Sequence, residues 1–352
     1  MAKTPVAKIS VIGGSFAGKT SLVSALTGMN YNELIIKQVQ PMLVRVQDPR
    51  LNILYDICKP KGEIVYPLVE ITDTPSIDLS GKEIDQNRKI FASIKECDIL
   101  FIVLGVYNRS VNSLTDAVKT EREKIMNLLI MADLDMMQRR VEKLNEQLKK
   151  LTKTKEQDEN EKRVLEQLIQ RVLDGIPNPY IDLSDEDLKR LRGFQFFTAK
   201  PIQDIANIKE GDYSQRPELN EVESLSISLE LELLNLGQNE RIEFMETYGL
   251  KSLQIESLLL ASLQRLGFWT FFTIGDDEVA GWGIRKGTKS VDAAERIHTD
   301  ISKGFIACEL IKYNSFVKLR SESAVKSANQ LIVVGRDYLI SDGDILNFRF
   351  NK

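Results

Sequence analysis

Gly13, Gly18, Lys19 and Thr20 satisfy the spacing GxxxxGK[ST]. They lie between an apolar run that ends at Ile12 and a segment with helical apolar spacing through Leu22, Ala25 and Leu26. Glycines let successive backbone N–H groups close around phosphate oxygens, and a helix N-terminus adds positive potential. A lysine at this spacing reaches the β and γ phosphates, and the hydroxyl after it ligates Mg²⁺. The implied chemistry is the binding of a nucleoside triphosphate by Gly13, Gly14, Ser15, Ala17, Gly18, Lys19, Thr20 and Ser21. Asp73 closes the apolar run Leu68 to Thr72 and reads as a carboxylate that holds Mg²⁺ through water. A turn or helix-cap aspartate is the second reading, because Thr74, Pro75 and Ser76 form turns readily. No NKxD or TKxD guanine reader occurs. Asn207, Ile208, Lys209 and Glu210 follow a later apolar run instead, a short pattern that fits a base-side pair or a solvated loop equally well.

These residues need a strand, a glycine loop and a helix to hold them, and Val6 to Ile12 followed by Ser21 to Leu26 supplies that order. Further runs at Leu68 to Thr72, Ile99 to Val103, Ile202 to Asn207 and Leu225 to Leu229 read as buried strands. They imply an α/β layered domain with a mainly parallel sheet. Ile130, Leu134, Met137, Val141, Leu144, Leu148 and Leu151 alternate steps of four and three, which is a heptad seam. Val164, Leu165, Leu168, Ile169, Val172 and Leu173 form a second stripe after a polar break. An antiparallel coiled-coil hairpin follows, ended by Gly175, Pro177 and Pro179. Beyond about residue 266, β-like runs at Phe271 to Ile274, Phe305 to Leu310 and Gln330 to Val334, with turns near Gly287 and Ser341 to Asp344, indicate a small α+β module.

With 352 residues the chain exceeds one ordinary core, and 43% hydrophobic with 28% charged residues is a folded composition. A net charge of −4 gives no global field for nucleic acid, and no DNA sequence recognition is expected. The longest apolar run, Ile99 to Val106, is far short of the roughly 20 residues that span a bilayer, and Met1 to Ala7 lacks a signal-peptide core. A cytoplasmic protein with no membrane contact is expected. Cys58, Cys97 and Cys308 suit reduced thiols, and His298 as the single histidine leaves little room for zinc chemistry. Trp269 and Trp282 read as core or groove wall.

The P-loop with TSLVSALTG, QDPRL from Gln47, ADLD from Ala132, NIKE from Asn207 and the C-terminal stretches GWGIRKGTK, IHTDISKGFI and GRDYLISDGDILNFRFN together resemble the YchF, or Obg-like ATPase, subfamily of Obg-related P-loop proteins. The resemblance implies a split P-loop G domain over 1–125 and 190–265, a coiled-coil insertion over 126–189 and an α+β TGS domain over 266–352. It implies that ATP, with GTP also tolerated, is the ligand, bound with Mg²⁺ at Thr20 and Asp73. Asn207 and Glu210 become base-side residues, and Ser228, Leu229 and Glu230 fall at the last base-contacting loop. A ribosome or RNA becomes the implied partner class.

The chain departs from that pattern where the family reads DxxG, since Asp73, Thr74, Pro75 and Ser76 stand there, and Gln38 aligns near the switch threonine. Phe16 matches the apolar residue that the family carries in place of a water-orienting side chain. Lys19 and Phe16 are therefore the expected catalytic residues, with slow hydrolysis, and a nucleotide-binding scaffold with little hydrolysis is the alternative. The charges Arg139, Arg140, Lys143, Lys149, Lys150, Lys153 and Lys155 fit an RNA-facing arm or a solvated hairpin with pairing across it. His298, Thr299 and Lys303 look like family positions that a cap or turn could equally require.

Overall fold

The computed structural model describes residues 4–37, 39–108, 113–149, 154–176, 179–180, 182–215, 222–250 and 252–351. Twelve strands among them form two sheets: β1 Lys8–Ile12, β2 Pro41–Arg45, β3 Ile64–Val65, β4 Leu68–Asp73, β5 Ile99–Gly105, β6 Ile202–Asn207, β7 Val222–Leu225, β8 Phe268–Ile274, β9 Val279–Arg285, β10 Phe305–Lys312, β11 Ile332–Val334 and β12 Asp344–Phe350. Their orders are β2-β4-β1-β5-β6-β7 and β11-β10-β12-β8-β9-β3. The chain divides into two compact units, Met1–Ile9 with Thr20–Thr72 and Ser228–Lys352, and Ser10–Lys19 with Asp73–Ile227. No described helix is long and apolar enough to cross a membrane.

In the unit built on Ser10–Lys19 and Asp73–Ile227, β5, β6 and β7 run parallel, with Gly105 opposite Asn207 and Asn207 opposite Leu225. Ile99 to Leu104 are all fully buried, as an uninterrupted apolar strand inside a parallel array must be. The run expected as a strand over Leu225 to Leu229 is corrected here: β7 ends at Leu225 and Ile227–Asn235 is a helix. Its Leu and Glu residues are strong helix formers, and their alternation imitates a strand's period over a short window.

The helical arm begins at Leu114, where the Ser113 side chain accepts from the Asp116 N–H, and runs unbroken to Gln147. Lys155–Leu173 returns, and Met137, Leu144, Val164, Leu165 and Leu168 share a core with Leu191 and Phe196. Leu151 of the seam lies outside the described residues, as do Lys150, Lys153 and Pro177. Arg140 pairs with Glu161 across the hairpin at 2.7 Å, and Arg139 with Asp135 at 3.1 Å along it, so part of the charge run is spent within the arm.

At the arm's base, Asp133 is 1% exposed and its carboxylate accepts from Phe197 N and Thr198 N, each at 2.8 Å, and from Thr198 Oγ1 at 2.7 Å. These donors belong to the 3₁₀ turn Phe197–Ala199, so one buried side chain fastens the long helix to the turn that leads into β6.

In the other unit, β8 pairs antiparallel with β9 and parallel with β12, and β12 pairs antiparallel with β10. Ala293 and Ala294 of the helix Ser290–Ile297 pack on one side with Phe271, Leu310 and Leu346. A second cluster brings Leu51 and Leu54 of the helix Pro49–Cys58 against Phe272, Ile311, Phe316 and Ile345. Arg50 pairs with Asp48 and Asp342, both at 2.7 Å, and its guanidinium sits 5.0 Å from the centre of the Phe272 ring. Trp282 stacks on Phe271 and donates to Thr273 Oγ1, in keeping with a core role. The His298 ring nitrogen accepts from Asp300 N at 3.1 Å, which caps the helix Thr299–Lys303. The three cysteines are free; burial pushes the Cys58 thiol up to about 11 and the Cys308 thiol up to about 12.

Candidate nucleotide site

The loop after β1 has the shape its glycines permit. A Cβ on Gly13 would lie 2.5 Å from the carbonyl oxygen of Val103, a backbone atom of the buried β5. Gly18 has φ +100°, and a Cβ there would lie 2.5 Å from Asn207 Nδ2. Ser15 and Phe16 form the exposed crest; Phe16 is 88% exposed at φ 60°, and its carbonyl accepts from Tyr107 Oη at 2.8 Å. Gly13, Gly14 and Ala17 are buried, while Gly18, Thr20 and Ser21 are half-buried.

Lys19, which starts the helix Lys19–Thr27, is 6% exposed. Its Nζ donates to Gly14 O and to Ser76 Oγ, each at 3.0 Å. Burial lowers the pKa of this ammonium, and the nearby Asp73 carboxylate works in the opposite direction. Asp73 itself is 1% exposed at the end of β4. It is not the cap of the next helix, which starts only at Ile84. The segment after it is fastened to the loop strand: Thr74 Oγ1 donates to Val11 O at 2.7 Å and Ile77 N to Gly13 O at 3.0 Å.

Asn207 is buried behind the loop, where Nδ2 donates to Ala17 O at 3.0 Å and Oδ1 accepts from Ile227 N at 3.2 Å. Its amide therefore ties the phosphate loop to the start of the following helix. Glu210 opens the 3₁₀ turn Glu210–Gln215 and is half-buried.

The expected loop over Ser228, Leu229 and Glu230 is corrected: all three are helical, with Ser228 exposed and Leu229 and Glu230 buried. The Glu230 carboxylate accepts from Gln254 N at 3.1 Å and Ile255 N at 3.3 Å, which anchors the first turn of the helix Gln254–Arg265. Gln38 lies outside the described residues. Tyr107 and the Thr74 and Ile77 tethers have no signature in sequence, since each is a contact to a carbonyl many residues away.

A strand, a glycine loop closed around a buried lysine and a helix, on a β2-β4-β1-β5-β6-β7 sheet, form a P-loop G-domain fold. Comparison with known proteins agrees. The model for the 50S ribosome-binding GTPase matches residues 8–168, and the YchF-GTPase_C model, described as a protein of unknown function (DUF933), matches residues 268–351. The ribosome-binding ATPase YchF of Pasteurella multocida is 29% identical over 98% of this chain and 99% of its own length. Over its whole length the chain is similar to the YchF family.

Similarity to the family is distributed along the whole length. The ribosome-binding ATPase YchF of Escherichia coli O157:H7 is 28% identical over 98% of this chain and 99% of its own. The solved Schizosaccharomyces pombe YchF GTPase shares the fold with a TM-score of 0.80 at 22% identity, covering 99% of both chains. A GTP binding protein from Pyrococcus horikoshii OT3 matches with a TM-score of 0.55 at 13% identity.

Proposed function

We propose that this chain binds ATP, or less selectively ATP and GTP, with Mg²⁺ at Gly13 to Ser21, hydrolyses it slowly, and associates with ribosomes or RNA in the cytoplasm. Lys19 is the observation that carries the reading. A buried ammonium that neutral oxygens hold in a glycine loop is poorly solvated, and a triphosphate supplies the negative charge that stabilises it. Thr20 and Asp73 would hold Mg²⁺, which neutralises charge on the phosphates. Among the described residues no group of three or more His, Cys, Asp or Glu could hold a metal. Mg²⁺ bound by one hydroxyl, one buried carboxylate through water and phosphate oxygens requires none.

Because both ends of the Asn207 amide are engaged with backbone, Glu210 is the residue we assign to reading the base. Ser228 is exposed in the first turn of its helix, and a backbone contact to the nucleotide there belongs to the same proposal. The division into a G domain over 1–125 and 190–265, a coiled-coil insertion over 126–189 and a TGS domain over 266–352 belongs to the same proposal. Support for the ribosome as partner comes from the relatives, which carry ribosome binding in their names.

A nucleotide-binding scaffold with negligible hydrolysis is the second reading, favoured by the fastened Pro75–Ser76 segment and by the exposed apolar Phe16 where catalysis would need an oriented water. Phosphate release from ATP, with Lys19→Ala as the blank, separates the two. The proposal expects slow release above the blank and co-sedimentation of the wild type with ribosomes; release equal to the blank leaves the scaffold reading standing.

A further inference from the structure

Ser76 follows Pro75 beside the phosphate loop, and the structure gives this segment little freedom. Thr74 Oγ1 and Ile77 N bracket it with hydrogen bonds of 2.7 and 3.0 Å to Val11 O and Gly13 O, and Pro75 fixes its own φ. The segment is thus docked on the phosphate loop. What it presents there is a hydroxyl: Ser76 Oγ stands 3.0 Å from Lys19 Nζ, the atom that reaches the β and γ phosphates in this type of loop.

We infer that the Ser76 hydroxyl is the γ-phosphate contact of this chain, accepting from Lys19 Nζ while donating its own proton to a terminal phosphate oxygen. The inference rests on the nucleotide-binding reading above and adds the residue that distinguishes a triphosphate from a diphosphate. A serine hydroxyl has one donor and two acceptor lone pairs, so both bonds coexist. The bond to phosphate is charge-assisted, and ADP has no oxygen at that position to receive it. With the segment docked beside Lys19, the hydroxyl meets a terminal phosphate oxygen by rotation about its own side-chain bond.

The test is equilibrium titration, in Mg²⁺, of wild type, Ser76→Ala and Ser76→Thr with ADP and with the non-hydrolysable ATP analogue that has an imido β–γ bridge. Ser76→Ala is expected to bind the analogue about tenfold more weakly and ADP within about twofold of wild type, while Ser76→Thr, which keeps the hydroxyl, retains the wild-type ratio. Retained ADP binding also shows that the alanine variant is folded. An unchanged analogue-to-ADP ratio in Ser76→Ala, or equal tightening of both ligands, overturns the inference and leaves the nucleotide-binding reading intact. Failure of the wild type to bind either nucleotide overturns both.

Discussion

Lys19→Ala is expected to lower ATP affinity by at least about 100-fold while leaving the protein folded. The ammonium is held by Gly14 O and Ser76 Oγ, both neutral oxygens, and burial works against its charge. Two charge-assisted bonds to phosphate, each worth about 1.5–3 kcal/mol, replace those contacts when a triphosphate binds, and their loss amounts to roughly 3 kcal/mol or more. The fold does not depend on the side chain to the same degree, since Gly13, Gly18, Asn207 and Tyr107 shape the loop without it. The pH dependence follows from the same geometry. Phosphate favours the charged amine, so as the pH rises into the alkaline range the wild type should lose ATP affinity more steeply than Lys19→Ala. Titration by calorimetry or a fluorescent analogue reads both effects. A variant that binds within about threefold of wild type would show that the lysine does not meet the phosphates.

The second large effect concerns stability. Asp133→Ala removes the acceptor shared by Phe197 N, Thr198 N and Thr198 Oγ1 at a site that is 1% exposed, and the expected loss is about 3 kcal/mol or more. Burial pushes the Asp133 carboxyl up to about 6 from 3.8, although the three hydrogen bonds pull it down. A carboxyl that holds its proton more tightly in the folded protein stabilises the fold fully below 3.8. That contribution disappears as the pH climbs through about 6. Roughly two units correspond to about 3 kcal/mol. Denaturant unfolding of wild type and Asp133→Asn between pH 4 and 7.5 isolates it, because the other carboxyls titrate in both proteins. The wild type should lose about 3 kcal/mol relative to the variant across that range. A constant difference would mean that Asp133 stays ionised throughout.

Where an element is dictated by its own residues, the sequence reading matches the structure closely. β6 covers Ile202 to Asn207 as expected, and β5 extends the run at Ile99 only to Gly105. Both are apolar segments buried on both faces, bounded by turn residues. The phosphate loop is legible for a different reason, since each glycine answers a close approach or a positive φ that other residues resist.

Legibility fails where a long-range partner decides. Glu230 looks like a solvated residue in an acidic helix, and only the position of Gln254 and Ile255 makes it a buried acceptor. Asn207 gives no sign in sequence that its amide bridges the carbonyl of Ala17 and the N–H of Ile227. QDPRL reads as a family stretch with no evident task. In the structure it carries Arg50 to Asp342 and Leu51 into the core with Phe272 and Ile345. The start of the arm at Leu114 escapes the heptad seam because Ile125, Leu129, Asp133 and Met137 are buried in steps of four, one of them a carboxylate that no apolar pattern would include.

The most direct test of the account is equilibrium binding of ATP and of GTP to nucleotide-stripped wild-type protein in Mg²⁺, with Lys19→Ala measured beside it. The account predicts saturable binding that is tighter for ATP than for GTP and lost in the variant. No binding of either nucleotide to the wild type, or binding that Lys19→Ala leaves intact, would contradict it.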